Sequence, residues 1–472
     1  MITGPGSGRV RTTPNEWGFE MADLMDAQTS ESTPWFLRGN YAPVFDEITD
    51  TDLRVTGSIP SSLSGLYLRN GSNPRTGQAG HWFFGDGMVH GVRLENGQAK
   101  WYRNRYVRTP KWEKHLDAMD EEAMFDPAAS AANTHVLAHA GRIWALEEGH
   151  LPWELSPELE TLGCDDFGGR LTTAFTAHPK LCPETNELHF FGYSPIAPFL
   201  TYHVLDGEGR LAHTAPITVP KGTMMHDFMI TREHAIFMDL PVVFDMDRMA
   251  AGQSPIGWDD DYGARIGIMP RFGTDKDVRW FEVDPCYVFH PLNAYVEGDT
   301  VVCDVGRHAS MWRGSMENFE PSYMHRWTFD LSTGAVTEQQ MDDWSHAFPR
   351  VDDRVVGLKH RYGWVAGPRA GSKGDMGDAG VIARYDMTTG DKVIHDFGPT
   401  AHPGEFVFVQ DSDDAGEDEG WAMGFVYDDA TETSELVILD GSDVSKPPVA
   451  RIHLPQRVPF GFHGSWVHDS AL

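Results

Sequence analysis

The chain has 472 residues, of which 40% are hydrophobic and 11% aromatic, enough apolar material for a large core. Its 38 basic and 70 acidic residues give a formal net charge of −32, which argues against nucleic acid as a partner and against electrostatic attraction to an anionic membrane. We find no run of 18 apolar residues and no secretory leader, so we expect a cytoplasmic protein.

Along the chain, an irregular first segment gives way to a uniform pattern of short strands. Residues 1–30 are polar and glycine-rich and are predicted to form a flexible arm, whereas residues 31–472 are predicted to form one domain. Short runs with alternating apolar side chains are separated by Gly, Asp, Asn or Pro, a pattern typical of strands and turns. The clearest runs are residues 65–69, 142–146, 187–191, 300–304 and 435–439. The one convincing helical stretch, residues 110–125, is charged and is predicted to be a surface insertion.

A weak internal repeat points to the architecture. The segment FDLSTG at residues 329–334 recurs as YDMTTG at residues 385–390, and each copy precedes a Val-containing strand. An aromatic residue, Asp and Gly at this spacing form a turn between antiparallel strands, and their repetition indicates a radial array of sheets. At four strands per blade the length fits about seven blades. We therefore predict an all-β fold, a single seven-bladed β-propeller.

Common local motifs of enzymes and metal sites are missing. We find no GxSxG, HExxH, Walker or GxGxxG segment. The four cysteines form no CxxC pair and are predicted to be buried thiols in a reducing compartment. The acidic stretch at residues 410–419 lacks the ligands of a calcium loop and is predicted to be a surface loop.

Four of the 22 histidines stand at predicted strand ends between apolar neighbours; they are His178, His226, His290 and His463. One buried histidine is more often a hydrogen-bonded core residue than a metal ligand, and gaps of 48, 64 and 173 residues match no short-range motif. The innermost strands of propeller blades nevertheless converge on one axis, so distant residues can meet there. On this reasoning alone, a metal site and four separate core histidines both remain open.

The sequence resembles the carotenoid oxygenase family, which includes carotenoid and apocarotenoid cleavage dioxygenases and stilbene-cleaving enzymes. The resemblance covers residues 43–466 and is carried by residues 65–71, 81–90, 102–109, 176–180, 225–228, 290–294 and 462–464. It implies a propeller in which loops and short helices form a cap over an axial Fe(II) ion. The ligands it implies are His178, His226, His290 and His463, with O2 and an apolar alkene as substrates.

The resemblance also implies carboxylate partners for the metal ligands. Two glutamates match the family pattern: Glu148, expected to pair with His226, and Glu405, expected to pair with His463. The third family glutamate precedes a Phe-Pro-Arg segment, and this chain has Ala347 there. Either water or a nearby aspartate, such as Asp352 or Asp353, then orients His290, or the iron binds more weakly.

Position 147 separates the substrate hypotheses. Stilbene-cleaving relatives carry Lys immediately before the first glutamate, whereas this chain has Glu147, which can accept a hydrogen bond from a phenol but cannot stabilise a phenolate. We therefore predict O2-dependent cleavage of a carotenoid or apocarotenoid C=C bond into two carbonyl products. Glu147 and Phe199 are predicted substrate contacts, and residues 196–200 a predicted apolar lip.

Two alternatives remain at this point. The first is cleavage of a stilbene or phenylpropenoid of the lignostilbene or isoeugenol type. The second is a binding protein that keeps the fold with a weakened metal site, for which Ala347 is the only support. The charged segment at residues 112–122 argues against deep membrane insertion, so at most weak peripheral contact with a membrane is expected.

Overall fold

The computed structural model describes Met1 and residues 33–245, 247–248, 254–369 and 379–472. Apart from Met1, the arm predicted for residues 1–30 lies outside the described residues.

The described chain is built mainly of short strands. The first eleven are β1 (Thr49–Asp50), β2 (Val55–Gly57), β3 (Gly65–Ser72), β4 (Gly87–Glu95), β5 (Gln98–Tyr106), β6 (His135–His139), β7 (Arg142–Leu146), β8 (Trp153–Leu155), β9 (Thr161–Cys164), β10 (Lys180–Leu181) and β11 (Leu188–Tyr193). The next eleven are β12 (Leu200–Leu205), β13 (Leu211–Ile217), β14 (Met229–Ile230), β15 (His234–Asp239), β16 (Val242–Phe244), β17 (Ile256–Trp258), β18 (Arg265–Pro270), β19 (Arg279–Glu282), β20 (Tyr287–Glu297), β21 (Thr300–His308) and β22 (Ser322–Asp330). The last eleven are β23 (Val336–Ser345), β24 (Ala347–Arg350), β25 (Tyr362–Pro368), β26 (Ala379–Asp386), β27 (Lys392–Asp396), β28 (Ala401–Pro403), β29 (Val407–Gln410), β30 (Gly420–Asp428), β31 (Thr433–Asp440), β32 (Ala450–His453) and β33 (Gly464–His468).

The helices are few and short. The α-helices whose bounds lie within the described residues are α1 (Pro110–Lys114) and α2 (Glu121–Phe125). The 3-10 turns are Trp35–Leu37, Gly39–Tyr41, Trp82–Phe84, Asp275–Asp277, Asp353–Val355 and Asp469–Ala471. The single helix predicted for residues 110–125 is therefore wrong, because His115 adopts a left-handed φ of 57° and ends α1 after one turn. Among the described helices, none has the length and apolar composition to cross a membrane.

The strands form seven antiparallel blades, which confirms the predicted seven-bladed propeller. In spatial order, blade 1 is β1-β5-β4-β3-β33, blade 2 is β6 to β9, blade 3 is β10 to β13 and blade 4 is β14-β15-β18-β19. Blade 5 is β20 to β23, blade 6 is β24 to β27, and blade 7 is β2-β32-β31-β30 with β28 and β29 both paired to β30. The hairpin β16-β17 is an insertion in blade 4.

The ring is closed by strands from distant parts of the chain. The C-terminal β33 pairs with β3 in blade 1, and the early strand β2 pairs with β32 in blade 7. Seven clusters of buried apolar side chains lie between neighbouring blades, one at each junction. Burying apolar surface between blades stabilises the ring, and each blade consequently holds its inner strand against its neighbours.

The repeated turn has the same structure in both copies. The Asp330 carboxylate accepts hydrogen bonds from the backbone N–H groups two and three residues later, at 2.8 and 2.9 Å. Asp386 does the same at 3.0 and 3.4 Å. Gly334 and Gly390 follow with φ of 81° and 79°, a conformation that side chains with a Cβ rarely adopt. These turns join β22 to β23 and β26 to β27, as the sequence predicts.

The cysteine prediction holds for three of the four residues. Cys182, Cys286 and Cys303 are buried, whereas Cys164 is exposed in β9. In β9 half-buried and exposed side chains alternate, and Cys164 falls on the exposed set. All four are free thiols.

Candidate metal centre

Four histidines from four blades meet on the propeller axis. His178 lies two residues before β10, His226 three before β14, His463 immediately before β33, and His290 within β20. Inner strands of different blades contact one another, including β14 with β20 and β29 with β33. The Nε2 atoms of successive histidines are 3.0 Å (178 to 226), 3.1 Å (226 to 290) and 3.1 Å (290 to 463) apart. All four potential ligand atoms lie within 4.8 Å of one another.

The spacing of the nitrogens fits a metal ion with open positions. A metal about 2.1 Å from each nitrogen would hold adjacent octahedral ligands about 3.0 Å apart and tetrahedral ligands about 3.4 Å apart. The observed spacings match the octahedral value. The His226 and His463 rings, with centroids 6.4 Å apart, are the most widely separated ring pair recorded in this cluster. Four imidazoles in an octahedral arrangement would leave two positions for other ligands.

The protonation state of the cluster also suits a metal. Burial lowers the pKa of His178 and of His290 well below the usual range, and neighbouring imidazoles, His463 first, lower it further. Both rings are therefore neutral near pH 7, which is the form that binds divalent metals.

Backbone packing places His463 against blade 1. A Cβ atom at position 464 would lie 2.4 Å from the carbonyl oxygen of Leu68, so the residue after His463 must be glycine for β33 to approach β3. The backbone N–H of His463 donates to the carbonyl oxygen of Thr134 at 3.0 Å. The ring is thereby directed toward the axis from a rigid strand end.

Glu405 holds the ring of His463. The buried Glu405 carboxylate accepts hydrogen bonds from His463 Nδ1 at 2.9 Å and from the Gly464 N–H at 2.8 Å. The guanidinium of Arg350 lies 3.3 Å from its second oxygen. Burial alone would raise the pKa of Glu405, but Arg350 and His463 outweigh burial and lower it to about 2. An ionised carboxylate here keeps the proton on Nδ1 and leaves Nε2 free to bind a metal.

A second carboxylate lies beside His226. One oxygen of Glu148 contacts Nδ1 of His226. The other oxygen accepts a hydrogen bond from the hydroxyl of Tyr193 at 2.6 Å, an interaction that no local sequence signal indicates. Tyr193 sits at the end of β11 and fixes the rotamer of Glu148 from the neighbouring blade.

His178 has a carboxylate neighbour that the sequence analysis missed. Asp227 lies 3.7 Å from His178 Nδ1 and pairs with Lys180 at 2.7 Å. Burial raises the pKa of Asp227, while Lys180 acts in the opposite direction. No local sequence signal indicates this contact, because His178 and Asp227 belong to different blades.

His290 differs from the other three histidines, because among the described residues no carboxylate forms a hydrogen bond or an ion pair with it. The two aspartates proposed as substitutes are engaged elsewhere, Asp352 with Arg354 at 2.6 Å and Asp353 with Arg350 at 3.4 Å. Ala347 and His290 instead line a common cavity of about 40 Å³.

Each of two larger cavities is lined in part by three of the four histidines. One, of about 150 Å³, is walled largely by aromatic side chains, among them Phe83, Phe84, Phe289, Trp312, Phe348 and Phe462. The other, of about 380 Å³, is lined by apolar side chains together with charged groups, which include Lys180, Asp227, Arg350, Asp353 and Glu405. The apolar cavity reaches His226, His290 and His463, and it is the one that could hold an apolar molecule beside a bound metal.

Only one of the two predicted substrate contacts lines the apolar cavity. Glu147 lines the apolar cavity, but Phe199 does not; it packs on the cluster between blades 3 and 4. In the predicted lip, Ile196 is 70% exposed.

Glu147 is part of an ion pair. It accepts hydrogen bonds from the backbone N–H groups of Glu148 at 2.9 Å and Gly149 at 3.0 Å, and it contacts Nδ1 of His150. Burial would raise the pKa of Glu147, but His150 and these N–H groups hold it below its usual range. Burial would lower the pKa of His150, but Glu147 raises it to about 9. The Glu147 carboxylate is thus paired with a cation near pH 7.

Comparisons with known proteins agree with this site. Residues 41–468 match the family model described as retinal pigment epithelial membrane protein. A carotenoid cleavage oxygenase of Mycobacterium tuberculosis is 39% identical, with 94% of this chain and 99% of that protein covered. A carotenoid 9,10(9′,10′)-cleavage dioxygenase of Crocus sativus is 35% identical, with 93% and 90% covered.

Solved structures show the same fold. A lignostilbene dioxygenase of Pseudomonas brassicacearum superposes with a TM-score of 0.85 at 30% identity, covering 93% of this chain and 99% of that one. A cobalt-substituted apocarotenoid oxygenase of Synechocystis gives a TM-score of 0.83 at 27% identity, covering 92% and 98%.

Proposed function

Because the chain belongs to the family of the carotenoid oxygenases, we propose that it is a non-haem Fe(II) dioxygenase that cleaves a C=C bond of a carotenoid or apocarotenoid. One O2 is consumed for each alkene, and each alkene carbon ends as the carbon of a new carbonyl group. The observation that carries the proposal is the cluster of four histidines beside an aromatic cavity. The Nε2 atom of each histidine lies 3.0–3.1 Å from that of the next one along the chain.

The four histidines would hold the metal, with no thiolate ligand among the described residues. Imidazole suits iron, and neutral ligands leave its double positive charge intact. When bound, Fe(II) would supply the activation of O2 that a spin-paired alkene needs for oxidative cleavage. The cobalt-substituted structure of the similar Synechocystis protein supports the binding of a metal by a protein of this fold.

The chain's own groups would orient the ligands and exclude water. Glu405 and Glu148 keep the Nδ1 protons of His463 and His226 on the side away from the centre. The aromatic walls at Phe289 and Phe348 flank the histidines, with ring centroids 5.1 Å from His226 and 5.6 Å from His290. An alkene can pack on such walls, whereas water gains few hydrogen bonds there.

A polyene substrate is favoured by the lining of the apolar cavity, in which no Lys or Arg stands among the described residues. The only cation close to Glu147 among the described contacts is His150, and it is already neutralised by that carboxylate. A phenolate would therefore find no counter-charge, while a neutral polyene needs none. The carotenoid-cleaving relatives at 39% and 35% identity favour the same class.

Cleavage of a stilbene is the second candidate, favoured by the lignostilbene dioxygenase structure at a TM-score of 0.85. The test is kcat/KM of the Fe(II)-loaded enzyme for an apocarotenal and for a 4-hydroxystilbene, with products separated by chromatography. We expect efficient, O2-dependent cleavage of the apocarotenal and poor cleavage of the stilbene. Efficient stilbene cleavage without apocarotenal products would replace the first candidate by the second.

A further inference from the structure

A small cavity, separate from the apolar cavity, is also lined by His290. This His290 cavity, about 40 Å³ in volume, is lined by residues of β20, β21, β24 and β25, by the loop before β22 and by the adjoining ends of β22, β23 and β26. Ala347 contributes a methyl group to its wall, so position 347 supplies no carboxylate; Glu320 is the one acidic residue in the lining. Nε2 of His290 points to the other histidines, and Nδ1 has no hydrogen-bond partner among the described groups.

The cavity wall contains a second unsatisfied imidazole. His346 is 5% exposed, and neither of its ring nitrogens has a hydrogen-bond partner in the described chain. A Cβ atom at Gly306 would lie 3.2 Å from Cε1 of His346 and 3.3 Å from the carbonyl oxygen of His290, so the His346 ring and the His290 backbone both lie close to the same face of that glycine. Buried polar atoms without partners are rare and costly, so a group in the cavity must satisfy them.

The size of the cavity suits water. One water needs roughly 10–15 Å³ of accessible volume, so about 40 Å³ has room for a few waters. Burial lowers the pKa of His346 to about 3, with His308 acting in the same direction, so the ring is neutral at ordinary pH and has an acceptor nitrogen. A water here can accept from Nδ1–H of His290 and donate to that acceptor.

We propose that His346 is a positioning residue for His290, acting through an ordered water in the His290 cavity. The water-mediated hydrogen bond from His290 to His346 has the same effect as the direct bond from His463 to Glu405. It keeps the proton on Nδ1 of His290 and directs the lone pair of Nε2 to the centre. The inference rests on the proposed metal-binding role of the four histidines. It goes beyond that role in assigning a function to a residue that touches neither metal nor substrate.

The test is the anaerobic dissociation constant for Fe(II), measured by competition with a chromophoric chelator. His346→Phe should weaken Fe(II) binding about 10-fold, the lower end of the effect of removing a ligand's hydrogen-bond partner. His346→Gln, which retains an acceptor, should stay within about threefold of the wild type. Adding Ala347→Glu to His346→Phe should restore binding, because a carboxylate at position 347 can replace the water and the imidazole together.

The matched control is His325→Phe, which removes another buried imidazole of blade 5 away from the His290 cavity. It should leave Fe(II) binding unchanged, with thermal melts showing that each variant is folded. Wild-type Fe(II) affinity in folded His346→Phe, or no rescue by Ala347→Glu, would overturn the inference while leaving the proposed function intact. Failure of the wild-type protein to bind Fe(II) would instead overturn the proposed function and the inference with it.

A crystal structure of the Fe(II)-loaded wild-type protein provides a test that needs no variant. It should show a water within about 3.2 Å of both His290 Nδ1 and a ring nitrogen of His346. A dry cavity, or a protein atom bonded to Nδ1, would contradict the inference even if every variant failed to fold.

Discussion

Replacing Glu405 by Gln tests how strongly the carboxylate controls its histidine. The two oxygens of Glu405 face three donors: Nδ1–H of His463, the N–H of Gly464 and the guanidinium of Arg350. A glutamine offers one oxygen and one NH2 group, so one orientation turns NH2 toward Gly464 and Arg350. The other turns NH2 toward His463 and requires its proton to move to Nε2, which removes the lone pair that would bind the metal.

We expect Glu405→Gln to weaken Fe(II) binding about 10- to 100-fold, which corresponds to about 1.4–2.8 kcal/mol. The donor left without an acceptor should also lower the free energy of unfolding by about 1–3 kcal/mol. Fe(II) affinity is measured anaerobically by chelator competition, and the free energy of unfolding by urea denaturation of the metal-free protein.

The chain offers a matched control for this substitution. Glu435 in blade 7 pairs with His453 Nδ1 at 2.6 Å and with Arg451 at 2.7 Å, the same Glu-His-Arg chemistry outside the metal centre. Glu435→Gln should reduce stability without changing Fe(II) affinity by more than about twofold. If Glu405→Gln binds Fe(II) within twofold of the wild type, the reasoning about the Nδ1 proton is refuted.

Three further outcomes are expected. Alanine in place of any one of the four axial histidines should abolish alkene cleavage and leave the β-sheet circular dichroism spectrum unchanged; near-wild-type turnover would show that the residue is not a ligand. Glu148→Gln should weaken Fe(II) binding 10- to 100-fold, and Tyr193→Phe should do so to a smaller extent, as measured by the same competition assay. The Glu147–His150 pair should contribute its full stability between about pH 4.5 and 6.5, because Glu147 is protonated in stronger acid, and lose it as pH rises through about 9. The stability difference between wild type and His150→Gln should therefore shrink as pH rises from about 6.5 to 9.

The sequence predicts the strands well because each is a local pattern. Short apolar runs mark β3, β7 and β31, and the Asp and Gly of the repeated turns specify the hairpins from a few neighbouring residues. Local patterns fail at His115, where a left-handed residue divides a charged segment into two helices.

The site is only partly predictable because its partners are distant in sequence. The four histidines and two glutamates follow from the family resemblance, but the contact of Tyr193 with Glu148 and the cavity beside His346 depend on how neighbouring blades pack. The Glu147–His150 pair was accessible in principle, since the two residues are three apart in one loop. The prediction of Phe199 as a substrate contact fails because an aromatic residue in an apolar stretch of sequence need not line the cavity.

The most direct test of the proposed chemistry is cleavage of an apocarotenal by the Fe(II)-loaded protein under ¹⁸O2, with rapid quenching and mass spectrometry of both products. If the protein is a dioxygenase, each of the two carbonyl products contains one ¹⁸O atom, and no reaction occurs under anaerobic conditions. Label in only one product, or cleavage that continues without O2, would contradict the proposed function.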